Sequence, residues 1–318
     1  GKDVHFNSFT KVTKLDLSQL KTCSGMSLSA MSLNSLLCDE LEEINGSLTT
    51  NKIGITVLSF PKLRTVNEIS LAKEDIQLLD FPKLEIIKGN FTLPLLPIQD
   101  LNSFKALTTI EGTLTMSEYT FESLVLPASL KNIKALNLQK MSNLKNLDVS
   151  GKSIETLTLG AHTLLDLTIT GDKVFGGSIT ISDGNVTGAQ MPKFKNIEEI
   201  GGLTFLGSGA LTQIKVAGLK KINNNLSIVR GMGNLTKVTA ISFPDLEEIT
   251  GDFSSAQLSA VTEFSFPKLR KIGRNMSATS FAASVTSLSF PDLEEVVGTL
   301  SITTTSFANV SVPKLTTV

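Results

Sequence analysis

The 318-residue chain is poor in the side chains that usually build catalytic and metal centres: it has two histidines, two cysteines, one tyrosine and no tryptophan. His5 and His162 are far apart in the sequence and form no His-x-x-x-His spacing, so we expect no zinc site. Sugar-binding clefts often stack sugar rings on aromatic side chains. The near absence of tyrosine and tryptophan therefore favours protein over glycan as a ligand, without excluding a glycan.

Charge of one sign and long apolar runs are also missing. The formal net charge is -1 and the isoelectric point is near 6.2. Binding to nucleic acid phosphates or to an anionic membrane needs a basic field, which this composition does not supply. No apolar run approaches the roughly 18 residues that a membrane-spanning helix needs. We therefore expect no nucleic-acid partner and no direct insertion of this segment into a membrane.

The two cysteines, Cys23 and Cys38, leave two interpretations open. Cys38 stands where the repeat described below has Phe60 or Phe81, which favours a small buried apolar residue. Alternatively, the two thiols form a disulfide that staples the N-terminal cap in an oxidising compartment. Two cysteines are too few to indicate the compartment.

Internal repetition is the most prominent feature that is present. Strand-like runs end in an apolar residue that is followed by proline, a charged residue and leucine. This motif occurs six times, at 60–63, 81–84, 243–246, 266–269, 290–293 and 312–315. Proline fixes φ and donates no backbone hydrogen bond, which suits a corner where the chain leaves a sheet. A period of twenty-odd residues predicts a solenoid, in which each repeat packs chiefly against its neighbours.

Each repeat carries three sets of apolar residues. The first is an apolar-x-x-apolar-x-apolar run such as 55–60, and successive copies are 21 to 27 residues apart. The second is a Leu-x-x-Ile pattern after the proline, and the third follows a glycine or polar turn, as at 89–91. Glycine or asparagine at that turn suggests a corner that needs φ above zero. Three inward faces and three corners predict a mainly β protein, a right-handed parallel β-solenoid with closed, roughly triangular coils.

A solenoid lengthens along its axis, so one domain can extend over more residues than a globular core allows. We expect a single solenoid domain over residues 1–318, with the N-terminal cap and first coil at 1–32 and regular coils at 191–318. Between residues 127 and 190 the apolar pattern recurs every ten or eleven residues, about half the usual step. Alternate runs should lie on opposite faces, and we expect slimmer, two-sided coils in this irregular segment.

Charged residues indicate independently how the coils stack. Equivalent positions in successive coils carry charges of alternating sign, as in the series Asp245, Lys268, Asp292 and Lys314. Adjacent parallel strands lie about 4.8 Å apart, so residues one coil apart should be neighbours, where opposite charges attract. We interpret the alternation as a feature that fixes register rather than as a binding site.

The composite motif, apolar-x-x-Leu-x-Phe-Pro-x-Leu-x-x-Ile followed by Gly-x-Leu-Ser/Thr, resembles leucine-rich repeats. More narrowly, it resembles the receptor L-domain-like repeats of fungal cell-wall proteins and the leucine-rich repeats of gut-bacterial surface proteins. The resemblance covers residues 12–126 and 191–318 well and the middle loosely. The regular asparagine ladder of leucine-rich repeats is missing, which favours a straighter, β-helix-like solenoid over a horseshoe. The resemblance implies extracellular display and contact with a ligand or surface, mostly without catalysis; the matched residues are packing positions, so no ligand residue carries over.

Short motifs that approach catalytic or metal-binding patterns are incomplete. Gly171–Ser178 approaches a phosphate-binding loop, but Gly177 stands where the lysine must be. No Gly-x-Ser-x-Gly turn exposes a serine that could act with His162. Paired acids recur with the repeat, and Asp183–Asn185 is followed by no glutamate at the position that a calcium loop requires. We expect no catalytic residue, no metal ligand and no cofactor, and the ligand-binding residues remain unassigned.

These observations together favour a non-enzymatic repeat protein at the cell surface or outside the cell. We expect it to be a monomer that binds a macromolecular ligand in adhesion or in a host or envelope interaction, with protein favoured over glycan. The alternative is a structural cell-envelope spacer without a specific ligand. A β-helix enzyme that degrades polysaccharides is less favoured, because it would need acids and bases that converge on one groove.

Overall fold

The computed structural model describes residues 2–72, 76–96, 101–160, 166–182, 190–206, 211–229, 237–281, 285, 287–303 and 307–318. In these residues the chain forms short parallel strands and one 3-10 helix, Asn102–Phe104. The strands stack in successive coils, so the predicted mainly β solenoid is confirmed. His162 and Asp183–Asn185 lie outside the described residues.

The chain divides into two compact units. Unit 1 comprises Gly1–Gln139 and Lys152–Ile154, and unit 2 comprises Lys140–Gly151 and Glu155–Val318. Each unit is built of stacked parallel strands. The single domain over 1–318 and the cap at 1–32 stay predictions.

Unit 1 contains long strands, or pairs of strand segments in their place, that alternate along the chain with strands of three residues. Its strands are β1 (Val4–Asn7), β2 (Lys14–Asp16), β3 (Thr22–Cys23), β4 (Met26–Ser29), β5 (Ser35–Leu37), β6 (Glu43–Asn51), β7 (Val57–Ser59), β8 (Thr65–Leu71), β9 (Leu78–Asp80), β10 (Ile86–Ile87), β11 (Phe91–Leu93), β12 (Thr109–Ser117), β13 (Ser123–Val125) and β14 (Asn132–Gln139). β6 pairs with β3 and β4 on one side and with β8 on the other. The short strands pair separately, β2 with β5 and β7 with β9.

Unit 2 has the same arrangement, and the first two residues of β16 belong to unit 1. Its strands are β15 (Asn146–Asp148), β16 (Ser153–Leu159), β17 (Thr168–Thr170), β18 (Val174–Ile181), β19 (Lys193–Lys195), β20 (Glu199–Leu206), β21 (Gln213–Lys215), β22 (Lys221–Ile222), β23 (Leu226–Val229), β24 (Ala240–Ser242), β25 (Glu248–Ile249), β26 (Phe253–Leu258), β27 (Glu263–Ser265), β28 (Lys271–Ile272), β29 (Met276–Phe281), β30 (Ser287–Ser289), β31 (Glu295–Val296), β32 (Leu300–Thr303) and β33 (Asn309–Ser311).

Three parallel ladders run along the regular coils of unit 2, one for each predicted inward face. The first joins β21, β24 and β27, the second joins β22, β25, β28 and β31, and the third joins β23, β26, β29 and β32. Pairing partners are 21 residues apart for Leu15 and Leu36 and 27 apart for Ile214 and Ile241, as the repeat spacing predicted. The inward residues form a continuous column, of which Ile249 is a fully buried member.

The half-period pattern in the middle of the chain has a simple origin. Leu147 of the short strand β15 pairs with Ile169, and Leu157 of the long strand β16 pairs with Ile179, each 22 residues on. The two kinds of strand therefore carry the same apolar pattern, and they lie in different ladders, as predicted. The coil length is ordinary, so the expectation of slimmer coils is wrong.

The turn glycines serve a different purpose from the predicted one. Gly201 packs so closely on the preceding coil that an added Cβ would overlap the carbonyl oxygen of Gly176. Positive φ occurs instead at non-glycine corners, such as Ala30 (φ 50°) and Lys52 (φ 54°). Among the described glycines, φ is positive only at Gly54, Gly151 and Gly218. Glycine is needed at Gly201 because the coils approach each other closely, not because φ is positive.

Both cysteines are free and buried, at 1% exposure each. The interpretation of Cys38 as a small buried apolar residue is confirmed, and the alternative of a disulfide is not realised. Burial, and next the charge of Asp39, raise the pKa of the Cys38 thiol to about 12. Burial also raises the pKa of Cys23.

We predict that neither thiol reacts with Ellman's reagent in the folded protein. The thiolate is the reactive form, and here it is both disfavoured and shielded. Both thiols should react at once in denaturant and about a hundredfold more slowly, or less, under native conditions. The measurement is the release of nitrothiobenzoate over time, with and without guanidinium. Fast modification of one thiol in the native protein would contradict the packed N-terminal coil.

Candidate functional site

Charged side chains of unit 2 form a ridge of ion pairs between successive coils. Lys268 Nζ lies 2.8 Å from Asp245 Oδ1, and Lys314 Nζ lies 2.6 Å from Asp292 Oδ1. The neighbouring backbones are hydrogen bonded as well, since the Arg270 N–H donates to the Glu247 carbonyl oxygen at 2.8 Å. The alternation of sign read from the sequence is therefore a stacking register, as predicted. A depression of about 380 Å³ lies along the neighbouring charges, but its lysines and glutamates neutralise one another.

The ridge predicts a stability that falls at both ends of the pH range. Hydrogen bonds from Lys268 and Lys314 hold the pKa values of Asp245 and Asp292 below their ordinary range, so the stabilisation that these carboxylates give is lost as the pH falls through their folded pKa values. A hydrogen bond to Glu295 raises the pKa of Lys271, so that contribution is lost as the pH rises through its folded pKa. Urea midpoints measured across pH should form a plateau at neutral pH with a fall on either side. The falls should shrink in high salt, because the groups are exposed; midpoints that do not change with pH would contradict the ridge.

A short amide and carboxylate ladder occupies one corner of unit 2. The backbone N–H of Asp252 donates to Asn225 Oδ1 at 2.8 Å, and that of Asn275 donates to Asp252 Oδ1 at 3.0 Å. The Thr299 N–H continues the ladder by donating to Asn275 Oδ1 at 2.9 Å. The expectation that an asparagine ladder is missing therefore needs correction at this corner. Asparagine and aspartate satisfy backbone donors that the turn leaves without a strand partner.

The ladder of short strands is interrupted in several places within the units. Pairing stops between β5 and β7, between β19 and β21, and between β27 and β30. At each interruption the inward residue of the first strand is only half-buried, namely Leu36, Phe194 and Phe264. Their counterparts Ile214 and Ile241, within a paired ladder, are fully buried. The interruptions open the side of the coil to solvent.

The interruption between β19 and β21 forms a concave site, which we call the lysine-rimmed cleft. Its volume is about 490 Å³, and it is lined by Gln190, Met191, Lys193, Thr212, Gln213 and Lys215. Phe194 lies between two lysines on β19 and presents its half-buried ring at this edge. The cleft therefore combines an aromatic surface, amide and hydroxyl groups, and ammonium groups.

Backbone groups also face this cleft. The Lys193 N–H donates to Leu167 and the Lys195 carbonyl accepts from Gly171, so these groups point towards β17. Neighbouring residues of a strand direct their backbone groups to opposite edges, which places the N–H and C=O of Phe194 on the side of β21. By the same alternation, Gln213 faces the cleft, because the Thr212 carbonyl and the Val216 N–H bond to the β24 segment. β19 and β21 belong to separate sheets, so these edges are not paired with each other.

The electrostatics of the cleft are positive but partly balanced. Lys193 Nζ lies 2.9 Å from Asp166 Oδ1, and Lys215 Nζ lies 4.0 Å from Glu263 Oε2. Lys195 adds a third ammonium group on the same outward face of β19. Hydrogen bonding to Lys193 holds the pKa of Asp166 below its ordinary value, so this acid is charged at neutral pH. Three lysines against two acids leave a local excess of positive charge.

The sequence motifs that suggested chemistry take structural places. Gly176 and Gly177 lie within strand β18, so the segment that approaches a phosphate-binding loop is partly extended. His5 lies on β1 with an exposed side chain, 3.6 Å from Asp3. Within the described residues no three His, Cys, Asp or Glu side chains come together as a metal site, and no helix is long and apolar enough to cross a membrane. Sequence reasoning missed the cleft; the available signal was Met-Pro-Lys-Phe-Lys at 191–195, where proline precedes a strand instead of following it.

Comparisons of the chain with protein-family models, curated proteins and solved structures find no match. The resemblance to leucine-rich and L-domain-like repeats therefore depends on the sequence motif alone, since a β-solenoid does not by itself identify a family.

Proposed function

We propose that this chain is a non-enzymatic, surface-displayed repeat protein that binds a macromolecular ligand outside the cell. The observation that supports this most directly is the lysine-rimmed cleft. It joins an exposed aromatic edge, unpaired strand edges and an excess of positive charge on one rigid scaffold. Binding residues are more effective when rigid strands hold them in place before the ligand arrives.

Protein is the favoured ligand. Strand edges offer backbone hydrogen bonds that an extended polypeptide can complete, whereas a glycan has no matching backbone pattern. Tyr119, the one tyrosine of the chain, is buried at 1% exposure and cannot stack on a sugar from the surface. The ring of Phe194 lies among lysines, which suits a charged partner better than a neutral sugar.

The test is saturable binding by the purified chain. The immobilised protein should bind a component of the extracellular or envelope protein fraction of its source cells, and a glycan array should give weaker signals or none. Binding should fall when the double variant Lys193→Glu/Lys215→Glu replaces the native chain. If neither fraction binds, while deletion of the protein alters only envelope integrity, the structural spacer replaces this proposal.

A further inference from the structure

We propose that the lysine-rimmed cleft binds an extended acidic peptide segment, which adds as a strand to the unpaired edges of β19 and β21. This inference depends on the proposed binding function and specifies the partner class. Strand addition occurs where a sheet edge leaves its backbone donors and acceptors without a strand partner. The edges of β19 and β21 meet this condition in a cleft of about 490 Å³.

The charge of the partner follows from where the lysines lie. The outward positions of the neighbouring strands carry Thr168 and Thr170 on β17 and Ala240 and Ser242 on β24, none of which is charged. The lysines on the outward face are therefore concentrated at the interruption itself. Carboxylates of an added strand would compete with Asp166 and Glu263 for these ammonium groups. Complementary charge of this kind selects partners and speeds their encounter.

The pattern of the partner follows from strand geometry. Successive side chains of an added strand point to opposite faces. Side chains on the outward face would lie beside Lys193, Lys195 and Lys215, and those on the inward face would contact the half-buried ring of Phe194. The cleft therefore favours a segment in which acidic residues alternate with small apolar residues.

The probe is a fluorescein-labelled peptide of four Glu-Val repeats, acetylated and amidated so that its ends are uncharged. Fluorescence anisotropy with the full chain at low ionic strength should show saturable binding. Lys193→Glu/Lys215→Glu should weaken binding by about tenfold or more, because two attractive contacts become repulsive. The matched control, Lys83→Glu/Lys105→Glu, changes the net charge equally at exposed lysines of unit 1 and should bind as the native chain does.

A second peptide separates strand addition from general attraction between charges. The same sequence with N-methyl groups on alternate backbone nitrogens keeps its charge but cannot complete an edge. It should bind at least about tenfold more weakly than the parent peptide, since several backbone hydrogen bonds are lost. Circular dichroism of the variants establishes that they are folded.

Equal binding of both peptides, or equal binding by the two double variants, would overturn the proposal. Failure of the parent peptide to bind the folded native chain would overturn it as well. The proposed function fails separately: a protein or glycan ligand whose capture is insensitive to Lys193→Glu/Lys215→Glu would retain macromolecular binding while removing the peptide cleft.

Discussion

Replacement of Gly201 by alanine is expected to destabilise the protein by about 3 kcal/mol. The new Cβ would overlap the carbonyl oxygen of Gly176 in the preceding coil and would lie 2.8 Å from the Gly177 carbonyl carbon. Both neighbours are backbone atoms, so no flexible side chain can move aside. The two coils would have to separate, and the hydrogen bonds between β18 and β20 would lengthen. Urea unfolding followed by far-ultraviolet circular dichroism measures the change.

Gly176→Ala is the matched control. Gly176 lies beside Gly201 in the stack, but a Cβ there meets nothing within 4 Å. The substitution should change stability by less than about 1 kcal/mol, and it could increase it by restricting the unfolded chain. Equal effects of the two substitutions would show that close approach of the coils is not what requires glycine at 201.

Replacement of Phe266 by alanine should cost about 3 to 5 kcal/mol, the range for large aromatic residues in packed cores. Phe266 is 1% exposed, and its ring centroid lies 5.1 Å from that of Phe243, 5.2 Å from that of Phe253 and 5.8 Å from that of Phe290. The stack joins successive coils, so the cavity would weaken the coils on both sides. Equilibrium urea unfolding should report the loss of stability.

Hydrogen exchange should place that loss. Amides of β26 and β29, on the coils next to Phe266, should lose protection more than those of β16 and β18. Phe9→Ala removes the same atoms from a ring that is 44% exposed and should change stability by less than about 1 kcal/mol. A uniform loss of protection over unit 2 would indicate that its coils unfold as one cooperative block.

The repeat made most of the fold predictable. The apolar columns, the steps of 21 to 27 residues and the three ladders follow from periodicity, because every coil must bury the same face against its neighbours. The alternating charges were predictable for the same reason: Asp245 and Lys268 occupy equivalent places one coil apart. The middle segment was misread, since short and long strands carry one apolar pattern and only pairing tells them apart.

The role of glycine and the candidate site could not be predicted in the same way. A repeat shows that glycine recurs at a turn, but the distance between two backbones decides whether φ or contact requires it. The cleft depends on a missing pair of strands, and a local motif such as 191–195 does not state whether its edge finds a partner.

By itself, the sequence determined that the chain forms stacked parallel coils with an aliphatic and aromatic interior, because burial of the repeated apolar residues requires it. The tertiary structure alone decided where that stacking is interrupted and which side chains the interruption exposes. Pairing between strands depends on the relative positions of residues about twenty apart in the chain, and small differences in coil length and corner geometry shift those positions without changing the pattern that each coil carries.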